Sequence, residues 1–291
     1  MKESNEMIRD IPFVESDVVL IGVPYEGTVS GEKGTAKAPV QICNQIKMQV
    51  EEFDFLLRKR VCGDVKIVER HLNFVAEMDP KEMASEVFHA VGEALQLHKF
   101  PIVLGGEHTV SLGAIQAASA YFQNSLSVVQ FDAHADMRED TGDYEDTPRQ
   151  IAHSTVMRQA YKNIRQIIQI GIRSMSELEY DFLKSTGFIN NVIPANFWGS
   201  SEDIIDKIIC PNVYLTVDVD VFSGADFPGT GTFEPGGISW DKFMHIIQLL
   251  FSRKNVVGFD VVEVIPREND TRTEYSAAKL VYNLIGRKFC K

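Results

Sequence analysis

Three short stretches of this 291-residue sequence carry side chains that could do chemistry together. The first is Phe131-Asp132-Ala133-His134-Ala135-Asp136, which sets Asp132, His134 and Asp136 at alternate positions. It follows Ser125-Leu126-Ser127-Val128-Val129-Gln130, an apolar, β-branched run that reads as a buried strand of a parallel sheet. If the chain stays extended past that strand, the three side chains project to one side, because side chains alternate with period 2. One segment then offers three metal ligands; the alternative is that these residues only make turn hydrogen bonds at a strand end. The second stretch, Gly105-Gly106-Glu107-His108, closes another strand, and its glycines permit a sharp turn and a close approach. His108 there is either a ligand or a helix-capping histidine. In the third, the strand Val213–Val217 runs directly into Asp218-Val219-Asp220.

Together these strand ends supply two imidazoles and four carboxylates. That set is too oxygen-rich for a structural zinc site, which prefers thiolates and closes at four ligands. It suits two divalent ions of intermediate hardness, Mn²⁺ first, with Co²⁺, Fe²⁺ or Ni²⁺ as substitutes in vitro. Four carboxylates balance the charge of two such ions. Ions roughly 3.5–4 Å apart share a water and lower its pKa to near neutrality, so the site makes a nucleophile. A phosphohydrolase would place Arg or Lys beside that nucleophile, yet the last strand ends in an acid, Asp260-Val261-Val262-Glu263-Val264-Ile265-Pro266. Glu263 could hold a planar guanidinium through a bidentate charge-assisted hydrogen bond. The alternative is a carboxylate paired with Arg267 or another basic side chain.

The elements that must position these residues alternate along the chain. Strands are expected at Asp17–Pro24, Val65–Val68, Pro101–Leu104, Ile164–Ile170, Val192-Ile193, Val213–Val217 and Val256–Val264, besides the run before Phe131. A loop from Tyr25 to Lys37 leads into a helix near Pro39 carrying Ile42, Ile46, Met48 and Val50. Asp79-Pro80-Lys81-Glu82 supplies an N-cap, a first-turn proline and an acid for a helix to about Leu97 that buries Met83, Val87, Val91 and Leu95. Further helices are expected from Ser111, over Glu177–Leu183, over Trp240–Phe251 behind an N-cap at Ser239, and over Thr273–Phe289. His89 and His98 have no ligand partner at useful spacing. About eight strands separated by helices imply an α/β protein with one mostly parallel sheet covered on both faces. Sites in such sheets lie at the carboxyl ends of the strands.

Composition narrows the classes. The sequence is 44% hydrophobic and 24% charged, as in ordinary globular proteins. A net charge of -12 argues against a general nucleic-acid binder and is compatible with a small cationic substrate. Cys43, Cys62, Cys210 and Cys290 are scattered without a Cys-x-x-Cys pair, which favours reduced thiols over a disulfide framework. Met1–Glu6 lacks the apolar core of a signal peptide, and no apolar run approaches a membrane-spanning length, so a cytoplasmic location is expected. No linker, charge block or repeat divides residues 1–291, which read as a single domain.

In this order, Gly105–His108, Phe131–Asp136, Asp218–Asp220 with Pro228-Gly229-Thr230-Gly231, and Glu263 resemble the successive signatures of the ureohydrolases, the arginase and agmatinase family. The resemblance extends from Gly22-Val23-Pro24 to Pro266 and implies a three-layer α/β/α arginase-like fold with two Mn²⁺ ions per chain. By motif match, His108 and Asp136 would bind one ion, His134 and Asp220 the other, with Asp132 and Asp218 bridging. His153, in Ile151-Ala152-His153-Ser154-Thr155, matches the family's histidine near the leaving amine, with a surface histidine as the alternative. The implied reaction is attack of the metal-bridging hydroxide on a guanidinium carbon. Glu263 would hold the substrate, Asp136 would accept a proton and His153 would deliver one, giving urea and an amine. The acid-crowded interval Met137–Asp146 and Pro228–Gly231 are more similar to agmatinases than to arginases, which points to agmatine and to putrescine as product. Other guanidino substrates (arginine, guanidinobutyrate, guanidinopropionate) and a catalytically silent metal-binding member are the alternatives. The family's Asp-Pro after the second Asp-x-Asp is replaced by Ser223-Gly224, and its Arg-x-Gly-Pro by Thr35-Ala36-Lys37-Ala38-Pro39. Resemblance also suggests a homo-oligomer, trimer or hexamer.

Overall fold

The chain runs β1 (Val18–Val23), α1 (Ala38–Met48), β2 (Phe53–Asp54), β3 (Lys59–Arg60), α2 (Val61–Asp64), β4 (Ile67–His71), α3 (Pro80–Gln96), β5 (Phe100–Gly105), α4 (Ser111–Phe122) and β6 (Leu126–Phe131). It continues through α5 (Val156–Tyr161), β7 (Gln166–Ile172), α6 (Glu177–Ser185), β8 (Val192–Pro194), α7 (Ser201–Asp206), β9 (Asn212–Asp218), α8 (Trp240–Arg253), β10 (Asn255–Val262) and α9 (Arg272–Phe289). This computed structural model describes residues 7–73, 76–197 and 199–290, so the Met1–Glu6 segment lies outside the described residues.

Eight strands form one sheet in the order β4-β1-β5-β10-β9-β6-β7-β8, and every pair is parallel. Both faces are covered, which is why its central strands are mostly apolar rather than alternating. On one face α1, α7, α8 and α9 pack over Leu20, Ile102, Leu104, Leu215 and Val217. On the other, α3, α4, α5 and α6 pack over Val19, Ile21, Val103 and Val128. The result is the three-layer α/β/α arginase-like architecture. The order has a functional consequence: β5, β10, β9 and β6 are consecutive in the sheet, so the strand ends that carry His108, Glu263, Asp218 and Asp132 are neighbours.

Local chemistry sets the boundaries. Asp79 caps α3 by accepting from the Lys81 and Glu82 N–H groups at 2.8 and 3.4 Å, and Met83, Val87, Val91 and Leu95 are buried as their spacing predicts. Met48 departs from expectation: it is 80% exposed, because the buried stripe of α1 is Ile42, Cys43 and Ile46 and Met48 falls on the opposite side. β4 starts two residues later than expected and runs on to His71. β2 and β3 pair as a two-residue antiparallel hairpin, too short to carry a periodic signal. The four cysteines are free and buried. Among the described residues no helix is long and apolar enough to cross a membrane.

Candidate active site

Six side chains converge at the carboxyl edge. His108 Nδ1 lies 2.9 Å from Asp136 Oδ2, 3.1 Å from Asp132 Oδ2 and 3.6 Å from Asp218 Oδ2. His134 Nδ1 lies 2.9 Å from Asp220 Oδ2 and 3.7 Å from Asp132 Oδ1. Ligand atoms of His108, Asp132 and Asp218 fall within 4.8 Å of one another, as do those of Asp132, His134 and Asp220. Asp132 belongs to both groups. The stretch is not extended throughout: β6 ends at Phe131, His134 bridges to Ser174 beside it, and Asp136 turns into the left-handed region at φ 52°. That turn carries the Asp136 carboxylate to His108 instead of leaving it beside His134. A non-glycine residue held there is strained, and such strain concentrates at functional sites.

Backbone donors aim the carboxylates. Asp132 Oδ1 accepts from His134 N–H at 2.6 Å, Asp218 Oδ1 from Asp220 N–H at 2.9 Å, and Asp220 Oδ1 from Ala133 N–H at 2.9 Å. Thr216 accepts from His108 Nε2–H at 2.9 Å and donates to Asp260 Oδ1 at 2.6 Å, which leaves Nδ1 to face the centre. His108 Nδ1 and Asp220 Oδ2 are buried without a hydrogen bond of standard geometry, one in each ligand group. Buried polar atoms are nearly always satisfied, so one such atom in each group fits a cation there.

Charge gives the same answer. By themselves the side chains balance their charge with protons. Burial raises Asp136 to about 7, with the Asp132 charge adding to it; burial likewise raises Asp220, again helped by Asp132. Burial, followed by the Asp220 charge, raises Asp218 far above the carboxylate range. At His134 burial opposes the charged form, but hydrogen bonds to Asp132 and Asp220 outweigh it and lift the ring to about 11. Divalent cations would displace these protons.

Two further predicted residues stand beside the centre. Glu263 follows β10 at φ 64°, is buried, and accepts from His108 N–H at 2.8 Å. Burial and the nearby Glu107 charge push it up to about 8. Arg267 is not its partner; it forks onto Glu32 at 2.9 and 2.8 Å. His153 donates from Nδ1 to Thr28 O at 2.7 Å, and its Nε2 meets Ser30 Oγ at 3.0 Å. Burial lowers its pKa, so the ring is neutral near pH 7. The Tyr25–Lys37 loop is therefore a wall of the site, held by Glu107, whose carboxylate takes Thr28 N–H and Oγ1 at 2.5 Å each and Thr109 Oγ1 at 2.9 Å.

This geometry agrees with comparison to known proteins. The arginase family model matches residues 16–286. The chain belongs to the arginase family. It is 31% identical to an agmatinase of Bacillus cereus over 94% of this chain and 92% of that protein. It is 30% identical to an N(1)-aminopropylagmatine ureohydrolase of Synechocystis over 94% of this chain and 90% of that one. The crystal structure of agmatine ureohydrolase of Thermoplasma volcanium superimposes with a TM-score of 0.84 at 25% identity, covering 97% and 92%.

In this arginase-family hydrolase a cavity of 530 Å³ opens from the centre, lined among others by Ser30, His134, Asp136, Arg138, Tyr144, His153, Ser176 and Glu179. None of the acids of the 137–146 loop lines it. Asp143 pairs with Arg138, Glu145 with Arg149, and Asp140 accepts from Gly142 N–H. The acid-crowded interval therefore does not bring its charge to this cavity, and Arg138 and Arg149 pair with two of its acids, Asp143 and Glu145. Ser223-Gly224 forms a turn closed by Asp226 and Phe227 N–H onto Ser223 O, and Asp218 and Asp220 still lie in the candidate ligand groups.

Sequence reasoning missed a polar row under the centre. Gln169, Gln130, Thr216 and Asp260 are register partners on β7, β6, β9 and β10. Gln130 Nε2 donates to Asp132 Oδ2 at 2.7 Å, and Gln169 Nε2 donates to Gln130 Oε1 and Ala135 O at 2.6 Å each. The signal was available: each is a polar residue flanked by apolar ones within a buried strand.

Proposed function

We propose that residues 1–291 act as one ureohydrolase domain, a binuclear manganese enzyme that cleaves the guanidinium group of agmatine to urea and putrescine. The observation that carries this reading is the pair of ligand groups sharing Asp132, with Glu263 held against His108 by the His108 N–H. His108 and Asp136 would hold one ion and His134 and Asp220 the other, with Asp132 and Asp218 between them. Mn²⁺ suits this oxygen-rich, thiolate-free set, and two bound ions supply Lewis acidity and lower the pKa of water toward neutrality.

The protein's own groups do the rest. Glu263 binds the guanidinium as a carboxylate; pushed up to about 8 by burial, it is held ionised by an arriving cation. Asp136, beside the centre, would accept the proton released there. His153 rests neutral with Nδ1–H committed to Thr28 O, so it takes and passes a proton at Nε2 toward the departing amine. Ser30 orients that nitrogen.

An amine fits the cavity better than an amino acid. Arg138 is the one Lys or Arg among its described lining residues, and Asp143 and Glu179 hold its guanidinium, so an α-carboxylate finds no uncommitted cation. A second reading, cleavage of aminopropylagmatine, is favoured by an adjoining cavity of 230 Å³. That cavity shares Arg138, Ser176 and Glu179 with the first, and its acids Glu139, Asp140, Asp143 and Glu179 outnumber its arginines Arg138 and Arg158.

The test is urea release by Mn²⁺-loaded protein from agmatine, aminopropylagmatine, arginine, guanidinobutyrate and guanidinopropionate. Agmatine is expected to give the highest kcat/KM. Aminopropylagmatine as best substrate selects the second reading, and arginine as best substrate overturns both. The reading also keeps the chain cytoplasmic and a homo-oligomer, trimer or hexamer, which light scattering of the purified protein checks.

A further inference from the structure

A second group of metal-ligand side chains meets at the edge strand β4, two strands away from β5, where side chains of α1 reach it. Glu69 and His71 are two apart on β4 and so point to the same face, and Cys43 comes down onto them from α1. One ligand atom from each of the three lies within 4.8 Å of the others.

Proximity is not the only feature. Lys47, one turn along α1 from Cys43, holds Glu69 Oε1 at 2.5 Å. The other oxygen, Oε2, is buried without a hydrogen bond of standard geometry and stands 3.7 Å from His71 Nε2. The His71 ring is seated on its register partner Gly22, where an added Cβ would come within 2.2 Å of Nδ1. Packing thus turns Nδ1 to the sheet and leaves Nε2 toward Glu69. Cys43 is 2% exposed, whereas the Glu69 and His71 side chains are 29% and 31% exposed, which gives an ion a way in.

We propose that Cys43 Sγ, Glu69 Oε2 and His71 Nε2 form a three-ligand zinc site, separate from the hydrolytic centre, that pins α1 to β4. Sulfur and imidazole select zinc over manganese, and three protein ligands leave a fourth tetrahedral position for water. Thiolate and carboxylate neutralise the ion, while Lys47 occupies only the far carboxylate oxygen. Burial raises the Cys43 thiol well above its ordinary range, so the sulfur gives up its proton to solvent only as the metal–sulfur bond forms. With the proton retained, the same group is a weak S–H contact to Glu69, and the experiment separates the two states.

The full chain is first saturated with Mn²⁺ and then titrated with Co²⁺ as the spectroscopic probe for zinc. The hydrolytic centre offers only nitrogen and oxygen, so a sulfur-to-cobalt charge-transfer band in the near ultraviolet reports this site alone. The band is expected to saturate at one Co²⁺ per chain and to bleach when Zn²⁺ is added. It should vanish in Cys43→Ser, and His71→Ala should need more than about tenfold more Co²⁺ for half-saturation. Absence of the band in the wild-type protein overturns the proposal whatever the variants do. A band that survives Cys43→Ser, or full affinity in His71→Ala, overturns it as well.

Discussion

Asp132 is the residue on which both candidate ion sites depend, and it is held from two sides. His134 N–H fixes one carboxylate oxygen and the Gln130 amide fixes the other. Asp132→Ala is therefore expected to lose both ions along with activity, and metal analysis of the purified variant checks this; two ions retained per chain would contradict the shared position. Gln130→Leu keeps every ligand but leaves Oδ2 without its donor. Removing such a supporting hydrogen bond lowers metal affinity by about 10–100-fold, read by titrating the chelated protein with Mn²⁺. His153 gives a pH prediction. Burial holds its pKa below 6.5, so the unfolded chain binds the proton more readily and the stabilising contribution is lost as pH falls through 6.5. His153→Asn should flatten the fall in Tm on acidification below 6.5 relative to wild type and cut kcat by about 10²-fold or more. Equal slopes in scanning calorimetry would refute the buried neutral ring.

Two glycines show how elements carry ligands. A Cβ on Gly106 would sit 1.8 Å from Tyr25 O, so the turn after β5 can pass the end of β1 only without a side chain. A Cβ on Gly113 would sit 2.2 Å from Ala84 O, where α4 crosses α3. Overpacking of either kind costs about 1–3 kcal/mol, but the consequences should differ. Gly106→Ala displaces Glu107 and His108 and should lose metal, whereas Gly113→Ala should lower the denaturation midpoint with Mn²⁺ stoichiometry unchanged. Much of this was legible in the sequence, since Gly105-Gly106 marks a turn with close approach and the strand ends name their ligands. The polar row Gln169–Gln130–Thr216–Asp260 was harder to see, because a row across a sheet depends on register between strands distant in sequence. The loop acids were undecided in the same way: the sequence shows Met137–Asp146 crowded with acids but not where they point, and the fold pairs Asp143 with Arg138 and Glu145 with Arg149.

For the whole molecule, the centre joins four adjacent strands, so bound metal should couple to global stability. A ligand that binds only the folded chain at 100 times its Kd adds about 2.7 kcal/mol. Chelation is accordingly expected to lower the denaturation midpoint, with recovery on adding Mn²⁺, and no change would argue against ions held by the six residues. The sequence by itself determined the alternation of strands and helices, the three-layer class and the six candidate ligands, because apolar runs, caps and strand-end acids are local patterns. Tertiary structure decided the rest. Strand order made β5, β10, β9 and β6 neighbours, a left-handed turn at Asp136 carried its carboxylate to His108, and packing of the 25–37 loop gave His153 its tautomer. Each of these depends on contacts between segments remote along the chain, which no local pattern encodes.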